Sequence, residues 1–323
     1  MDVLADALAV AGVRGTMAVR IDGGHGWGVT WAQNADAVLY AVTAGSVWLT
    51  PAVPDTDDTA PAAPVELLPG DVVLLPTGAP HHLSSDPHRT PRPCDLALTD
   101  ELRKTGGALE VGAGEAHTHL LGASYSHDHV VSLHVFNLLP PVVHIRGRHA
   151  HPALDATLRL LAQETAQPRL ASAVVLDRLV DVVLVQLLRC WLDTRPDLVR
   201  GSWLGALTDP LVTETMTHMH QRPDRPWTTE TLARALTVSR STLTRRFQDA
   251  TGQSPGAYLT EWRMNLAARQ LRDTDTKIEA IARSVGYTSV YAFNRAFSRT
   301  RSLPPARFRQ DSRRRADPEP AMG

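Results

Sequence analysis

Two passages about fifty residues apart constrain this chain more than any other feature. In the first, Leu232-Ala233 is followed by Ser239, Leu243 and Arg245-Arg246-Phe247. In the second, Ile281-Ala282 is followed by Ser289, Phe293 and Arg295-Ala296-Phe297. Each spacing predicts a short helix, a turn and a second helix with arginine two residues before a phenylalanine. A helix-turn-helix is written twice here.

Local punctuation sets the limits of these helices. Asp209-Pro210 suits the start of a helix that stops at Pro223. Thr228 or Thr229, Ser239, Ser254, Thr276 and Ser289 are the expected caps of the next five helices, and Pro304-Pro305 opens the last. The helix from Ser254-Pro255 to about Arg272 spans roughly 30 Å at about 1.5 Å per residue. One turn of B-DNA is roughly 34 Å. A spacer of that length holds two recognition helices over successive major grooves. Charge agrees: Asp209 to Arg315 carries 19 Arg/Lys against 10 Asp/Glu, while the rest of the chain carries 14 against 24. A basic end on an acidic remainder is expected where only one part meets phosphate.

The amino-terminal half reads differently. Residues 2–12 form an amphipathic helix ended by Gly12, and short β-rich runs bounded by Gly, Pro and Asp follow: Thr16–Ile21, Trp27–Trp31, Ala37–Thr43, Val47–Leu49, Val65–Leu67, Val72–Leu75, Ala116–Gly122 and His129–Phe136. Many short strands predict a sandwich or closed barrel. Pro51–Pro64 and Ser84–Thr105 read as exposed loops. From His151 to Leu192 the spacing turns helical, in two segments divided by Pro168. Cys94 and Cys190 make neither a disulfide framework nor a zinc spacing. The longest apolar stretch, Ala171 to Leu192, is broken by Asp177, Arg178, Asp181 and Arg189, which a membrane span tolerates poorly. The expectation is a soluble, cytoplasmic protein without a cofactor.

One strand carries a specific pattern: Gly70, Pro76, Gly78 and His81, with four apolar residues between Asp71 and Pro76. This resembles the second conserved motif of the cupin family, and the resemblance implies a β-barrel with His81 at its mouth. Metal-binding cupins also bring a His-x-His and a Glu from an earlier strand pair. Here Trp27 to Trp48 offers no His-x-His, and Tyr40 stands where a ligand is expected. The carboxyl-terminal pattern is similar to the AraC/XylS family: Leu232-Ala233, Ser239, Leu243, Arg246-Phe247, Gly252, Ser254-Pro255, Tyr258-Leu259, Arg263, Ala267-Ala268, Ile281-Ala282, Gly286-Tyr287, Ser289, Phe293, Arg295-Ala296-Phe297 and Pro305. Ser302 stands where that pattern has Gly, and Phe308 where it has Tyr.

The resemblance implies an α+β two-domain protein: a cupin-like barrel with dimerisation helices, then an all-α double helix-turn-helix domain. The expected division is a sensor barrel at 1–150, a helical dimerisation segment and linker at 151–207, a DNA-binding domain at 208–310 and a disordered tail at 311–323. The implied function is sequence-specific DNA binding in transcription regulation, with an activator that partners RNA polymerase as the expectation, and not an enzyme. The expected DNA-binding residues are Ser239, Arg240, Ser241, Thr244, Arg245, Ser289, Val290, Tyr291, Asn294, Arg295 and Arg299. Arginine suits guanine O6/N7, and Asn294 suits adenine. Arg301 is a further phosphate candidate, whereas Arg246 and Arg263 read equally well as structural ion-pair partners. A small-molecule effector is expected against Trp27, Trp31, Tyr40, Trp48 and His81. Twelve of the 14 histidines lie between His25 and His151. Of these, His81, His117 and His119 are candidates for a metal site, the pairs His117/His119 and His127/His129 each sharing a strand face. The alternatives are solvated strand histidines, a purely structural barrel, a redox role for Cys94, and a cupin enzyme carrying a DNA-binding module.

Overall fold

The computed structural model describes residues 2–34, 36–51, 63–95, 98–99, 101–102, 107–127, 136, 139–194 and 203–316. By their contacts these residues form two compact units, one of Arg14–Ser126 and Leu139–Arg195, the other of Met1–Val13, His127–Leu138 and Pro196–Gly323.

In the first unit, eleven strands build two facing sheets. They are β1 (Arg14–His25), β2 (Gly28–Trp31), β3 (Ala37–Ala44), β4 (Val47–Pro51), β5 (Val65–Leu67), β6 (Val72–Leu75), β7 (His81–Ser84), β8 (Arg92–Pro93), β9 (Ala108–Val111), β10 (Ala113–Ser126) and β11 (Val143–Ile145). One sheet runs β11-β6-β3-β10-β1-β9, the other β5-β4-β7-β2-β8. Strands β7, β8, β9 and β11 go beyond the sequence expectation, and β10 is longer than foreseen. The expected His129–Phe136 strand lies outside the described residues except for Phe136, which sits in a turn.

Alternation along the strands fills the space between the sheets. Ile21, Tyr40, Val42, Leu49, Val73, Leu75 and Leu83 all meet there, each 2% exposed or less. Burying one such side chain stabilises the fold by about 1.5–3 kcal/mol. The turn after β6 needs glycine at Gly78: its φ is +56°, and a Cβ there would lie 2.2 Å from the Asp36 carbonyl oxygen. Helix α3 (Ser172–Thr194) covers the outside of the larger sheet at β1 and β11, and α2 (Pro152–Ala166) packs on α3. Gly15 N–H donates to Asp181 Oδ1 at 2.8 Å, and Tyr125 Oη donates to the Val180 carbonyl at 2.8 Å.

Helix α3 has two apolar stripes. Val180, Val183, Leu184, Leu187, Leu188 and Trp191 are buried. Val175 and Val182 face solvent at 41% and 43% exposure.

The second unit is helical: α4 (Trp203–Ala206), α5 (Pro210–Gln221), α6 (Thr229–Ala235), α7 (Arg240–Thr251), α8 (Pro255–Asp273), α9 (Ile278–Ser284), α10 (Val290–Arg301) and α11 (Pro305–Ala316). Helix α1 (Val3–Val10), capped by Asp2, belongs here by its contacts and packs on α5 and α8. Residues 311–316, expected in a disordered tail, continue α11, and 317–323 lie outside the described residues. The cap of α9 is Lys277 with no side-chain bond, not Thr276, whose hydroxyl pairs with Thr274. Among the described residues, no helix is long and apolar enough to cross a membrane.

Candidate functional site

Helices α7 and α10 are built alike because their sequences are in register fifty residues apart. Ser239 and Ser289 cap them, accepting from Thr242 N–H at 3.1 Å and Ala292 N–H at 3.4 Å. Leu243 and Phe247 bury the inner face of α7; Phe293 and Phe297 bury that of α10, all at 0% exposure. Gly252 and Ser302 end them in the left-handed conformation, at φ +74° and +58°. Helix α8 lies between them in sequence, and its 19 residues span about 28 Å.

Burying the phenylalanine edge forces the opposite edge outward. Ser239, Arg240, Ser241, Thr244 and Arg245 are exposed, as are Ser289, Tyr291, Asn294, Arg295 and Arg299; Val290 is half-buried. Tyr291 is 71% exposed, with the Arg295 guanidinium 5.9 Å from its ring centre. Arg240, Ser241, Thr244 and Arg245 line a surface concavity together with Gln248 and Asp249. Gln248 escaped the sequence reading, although its spacing one turn beyond Thr244 and Arg245 was the signal for it.

Partners sort the arginines. Among the described residues, none of Arg240, Arg245, Arg295 and Arg299 has a carboxylate partner. The others are engaged. Arg246 donates to Asp209 Oδ2 at 2.7 and 3.1 Å. Arg263 donates to the Pro223 and Arg225 carbonyls at 2.7 and 2.8 Å. Arg301 is bonded to Asn265 Oδ1 and ties α10 to α8.

The barrel residues gather otherwise than expected. Tyr40 Oη and His81 Nε2 are 2.9 Å apart, and His81 Nδ1 donates to the Ala79 carbonyl at 2.8 Å. That leaves Nε2 to accept from the tyrosine hydroxyl. Trp31 stacks on His81 at 5.4 Å. Burial pushes the His81 imidazole down to about 4 and raises the Tyr40 phenol well above its ordinary value. Both stay neutral, and His81 is part of the core, not an open mouth. Trp48 alternates with buried Val47 and Leu49 and so faces away from the core. Of the five expected effector residues, Trp27 lines a cavity.

The histidines do not converge either. His119 Nδ1 pairs with Asp22 Oδ1 at 2.8 Å, and the His117 ring lies 4.6 Å from that of His25. His127 packs on Phe136, and His129 lies outside the described residues. Among the described residues, no three His, Cys, Asp or Glu side chains are grouped to hold a metal ion. Cys94 and Cys190 are free thiols; burial raises the pKa of Cys94, which disfavours its thiolate.

Residues 2–193 match the family model described as Cupin, and residues 232–311 match one described as a helix-turn-helix domain. The chain is 35% identical over 312 residues to an AraC-like transcription regulator of Streptomyces antibioticus, covering 96% of this chain and 99% of that one. It is 33% identical over 311 residues to an AraC-like regulator of Streptomyces lividans, at 96% and 98% coverage. The chain belongs to the AraC family of transcription regulators. Among solved structures, this AraC-family chain is similar to the DNA-binding domain of AdpA in complex with a target DNA, at 30% identity. That likeness covers 35% of this chain and 99% of that one, at TM-score 0.31. By the family models it matches, the regulator combines a cupin domain with a helix-turn-helix domain, and the two Streptomyces relatives it matches along their length are AraC-like transcription regulators.

Proposed function

We propose that this regulator is a ligand-responsive, dimeric, cytoplasmic transcription activator with no enzymatic role. In this reading, 1–150 is the sensor, 151–207 dimerises and links, 208–310 reads DNA and 311–323 is a tail. Helices α7 and α10 enter successive major grooves on one face of the operator. Ser241, Thr244, Arg245, Val290, Tyr291, Asn294 and Arg295 meet base edges, while Ser239, Arg240, Ser289 and Arg299 meet phosphates. The observation that carries this is the pair of matched helices whose outward arginines lack carboxylate partners, while the neighbouring arginines are tied down.

Dimerisation is assigned to the outer stripe of α3, Val175, Leu179 and Val182, beside Leu160 of α2, which is 54% exposed. A second copy covers an apolar stripe that a lone chain leaves in water.

Footprinting on DNA flanking the regulator's own gene locates the operator. Arg245→Ala and Arg295→Ala are each expected to weaken operator binding by about 1–3 kcal/mol and to relax specificity at one base pair. Operator binding as tight as wild type in both variants refutes the assignment. Transcription with RNA polymerase from that promoter distinguishes activation from repression. A barrel that only dimerises the protein is the second reading. A thermal-shift screen separates it, because a ligand bound only to the native state raises the melting point.

A further inference from the structure

Among the described residues, no strand pairing joins the two sheets between β8 and β9, and Leu102 of the segment connecting them packs against the core. Strand β9 is the last strand of the larger sheet and β8 the last of the smaller. Each pairs in parallel with a single neighbour, β9 with β1 and β8 with β2. Between these edges lies a cavity of about 580 Å³. That is within the roughly 300–1,000 Å³ usual for small-molecule sites.

Its floor is apolar. Trp27, Val29 and Leu109 line it at 3%, 7% and 8% exposure, with half-buried Val111 beside them. The indole N–H of Trp27 is buried and has no acceptor among the described residues. The lip carries two arginines. Arg89 and Arg92 line the opening and are exposed, and neither has a carboxylate partner among the described residues. Arg89 is laid over Gly26, with its guanidinium 3.5 Å from where a Cβ on that glycine would stand.

Two acidic residues, Asp95 and Glu110, also line the cavity. Asp95 Oδ1 accepts from Leu98 N–H at 3.1 Å. Glu110 alternates with Leu109 and Val111, which places it on the other face of β9. A macromolecular strand is a poor occupant. Strand β8 has two residues, and one of them, Pro93, has no N–H to donate.

We propose that this cavity binds an amphipathic organic anion: an apolar, ring-sized body on Trp27, Val29 and Leu109, with one carboxylate or sulfonate at Arg89 and Arg92. This site differs from the Tyr40–His81 pair, which fills the core. The inference rests on the sensing role proposed above, and it identifies the chemical class of the effector.

Calorimetry on the full-length protein with naphthoate, and with uncharged naphthalenemethanol of similar size, tests it. Naphthoate is expected to bind with one equivalent and about tenfold more tightly than the alcohol. Arg89→Ala/Arg92→Ala is expected to reduce the acid to the affinity of the alcohol without lowering the melting point. Val111→Trp, which fills the floor, is expected to abolish both. An acid no tighter than the alcohol, or an acid that keeps its affinity in the arginine double variant, overturns the proposal. If Val111→Trp unfolds the barrel, the double variant decides alone. Operator affinity measured with saturating naphthoate separates the two levels. Binding that leaves operator affinity unchanged supports the site and removes the effector role. An operator response that persists in the double variant keeps sensing and removes this site.

Discussion

His220 offers a quantitative test of the packing inside the second unit. Its side chain is 1% exposed and stacks on Trp262 at 3.6 Å. Nδ1 lies 3.2 Å from Asp6 Oδ2 on α1, and Nε2 lies 2.7 Å from Tyr258 Oη on α8. A neutral ring satisfies both bonds if Nδ1 donates to the carboxylate and Nε2 accepts from the phenol. Burial pushes the imidazole from 6.5 down to about 3. The unfolded chain therefore binds a proton that the folded chain refuses between these values. Stability is full above about pH 6.5 and is lost as pH falls below it. At about pH 5 the unfolded imidazole lies about 1.5 units above the solution pH, which costs about 2 kcal/mol at roughly 1.4 kcal/mol per unit. The Asp6 carboxyl, held above its ordinary 3.8 by burial, works in the opposite sense at lower pH. Between about pH 8 and about pH 5, His81 of the first unit, held near 4 by burial, contributes a slope of the same sign, so the His220 share is read as the difference between the wild type and His220→Gln. Urea unfolding of the full chain, followed by helical circular dichroism, should show the wild type losing about 2 kcal/mol more than His220→Gln across that window. His220→Gln should be less stable at about pH 8 but should lack the His220 share of the slope, because glutamine does not titrate. If both proteins lose the same stability between the two pH values, His220 is not a buried neutral ring and the reasoning fails.

Four further outcomes follow from particular residues. Thr237 turns the chain in the first helix-turn-helix at φ +56°, unusual for a β-branched residue, so Thr237→Gly should raise stability by about 1 kcal/mol, read as melting temperature, with operator affinity unchanged. Gly286 serves the equivalent turn at φ +84°, where a Cβ would lie 2.7 Å from Arg263 Nη2 and 2.9 Å from the Asp224 carbonyl; Gly286→Ala should destabilise by more than about 1 kcal/mol in the same assay. Arg246→Ala breaks a half-exposed ion pair with Asp209 and should cost about 0.5–1 kcal/mol of stability, while the protected bases in a footprint stay the same. Tyr291→Ala should leave the melting temperature unchanged, since the ring is 71% exposed, yet weaken operator binding measurably by fluorescence anisotropy.

The carboxyl-terminal half was legible because its signals are local. Asp209, Thr228, Ser239, Ser254 and Ser289 each cap a helix by accepting from an N–H two or three residues ahead, so residue type and position suffice. The miss at Thr276 has the same origin: a neighbouring hydroxyl, Thr274, competes for it. The inward phenylalanines and outward arginines follow from helical periodicity alone. Which arginines are spent internally did not, since Arg246 meets a carboxylate 37 residues away and Arg263 a carbonyl 40 away.

The amino-terminal half depended on distant pairing. Strand β9 has four residues and exists because it lies beside β1; β11 has three and lies beside β6. Neither is long enough for alternation to announce it. The Gly70–His81 pattern located His81, but only tertiary structure set Tyr40 against it and made it core. Amphipathic α1 required a cover, and its sequence did not say that α5 and α8 would provide it. The doubled motif, its caps and its basic charge were thus determined by sequence, because they depend on neighbours within a turn or two of helix. The edge cavity, the partner of His220 and the choice between a paired and a free arginine were decided by tertiary structure. Each requires groups far apart in the chain to meet, and side-chain type alone does not specify that meeting.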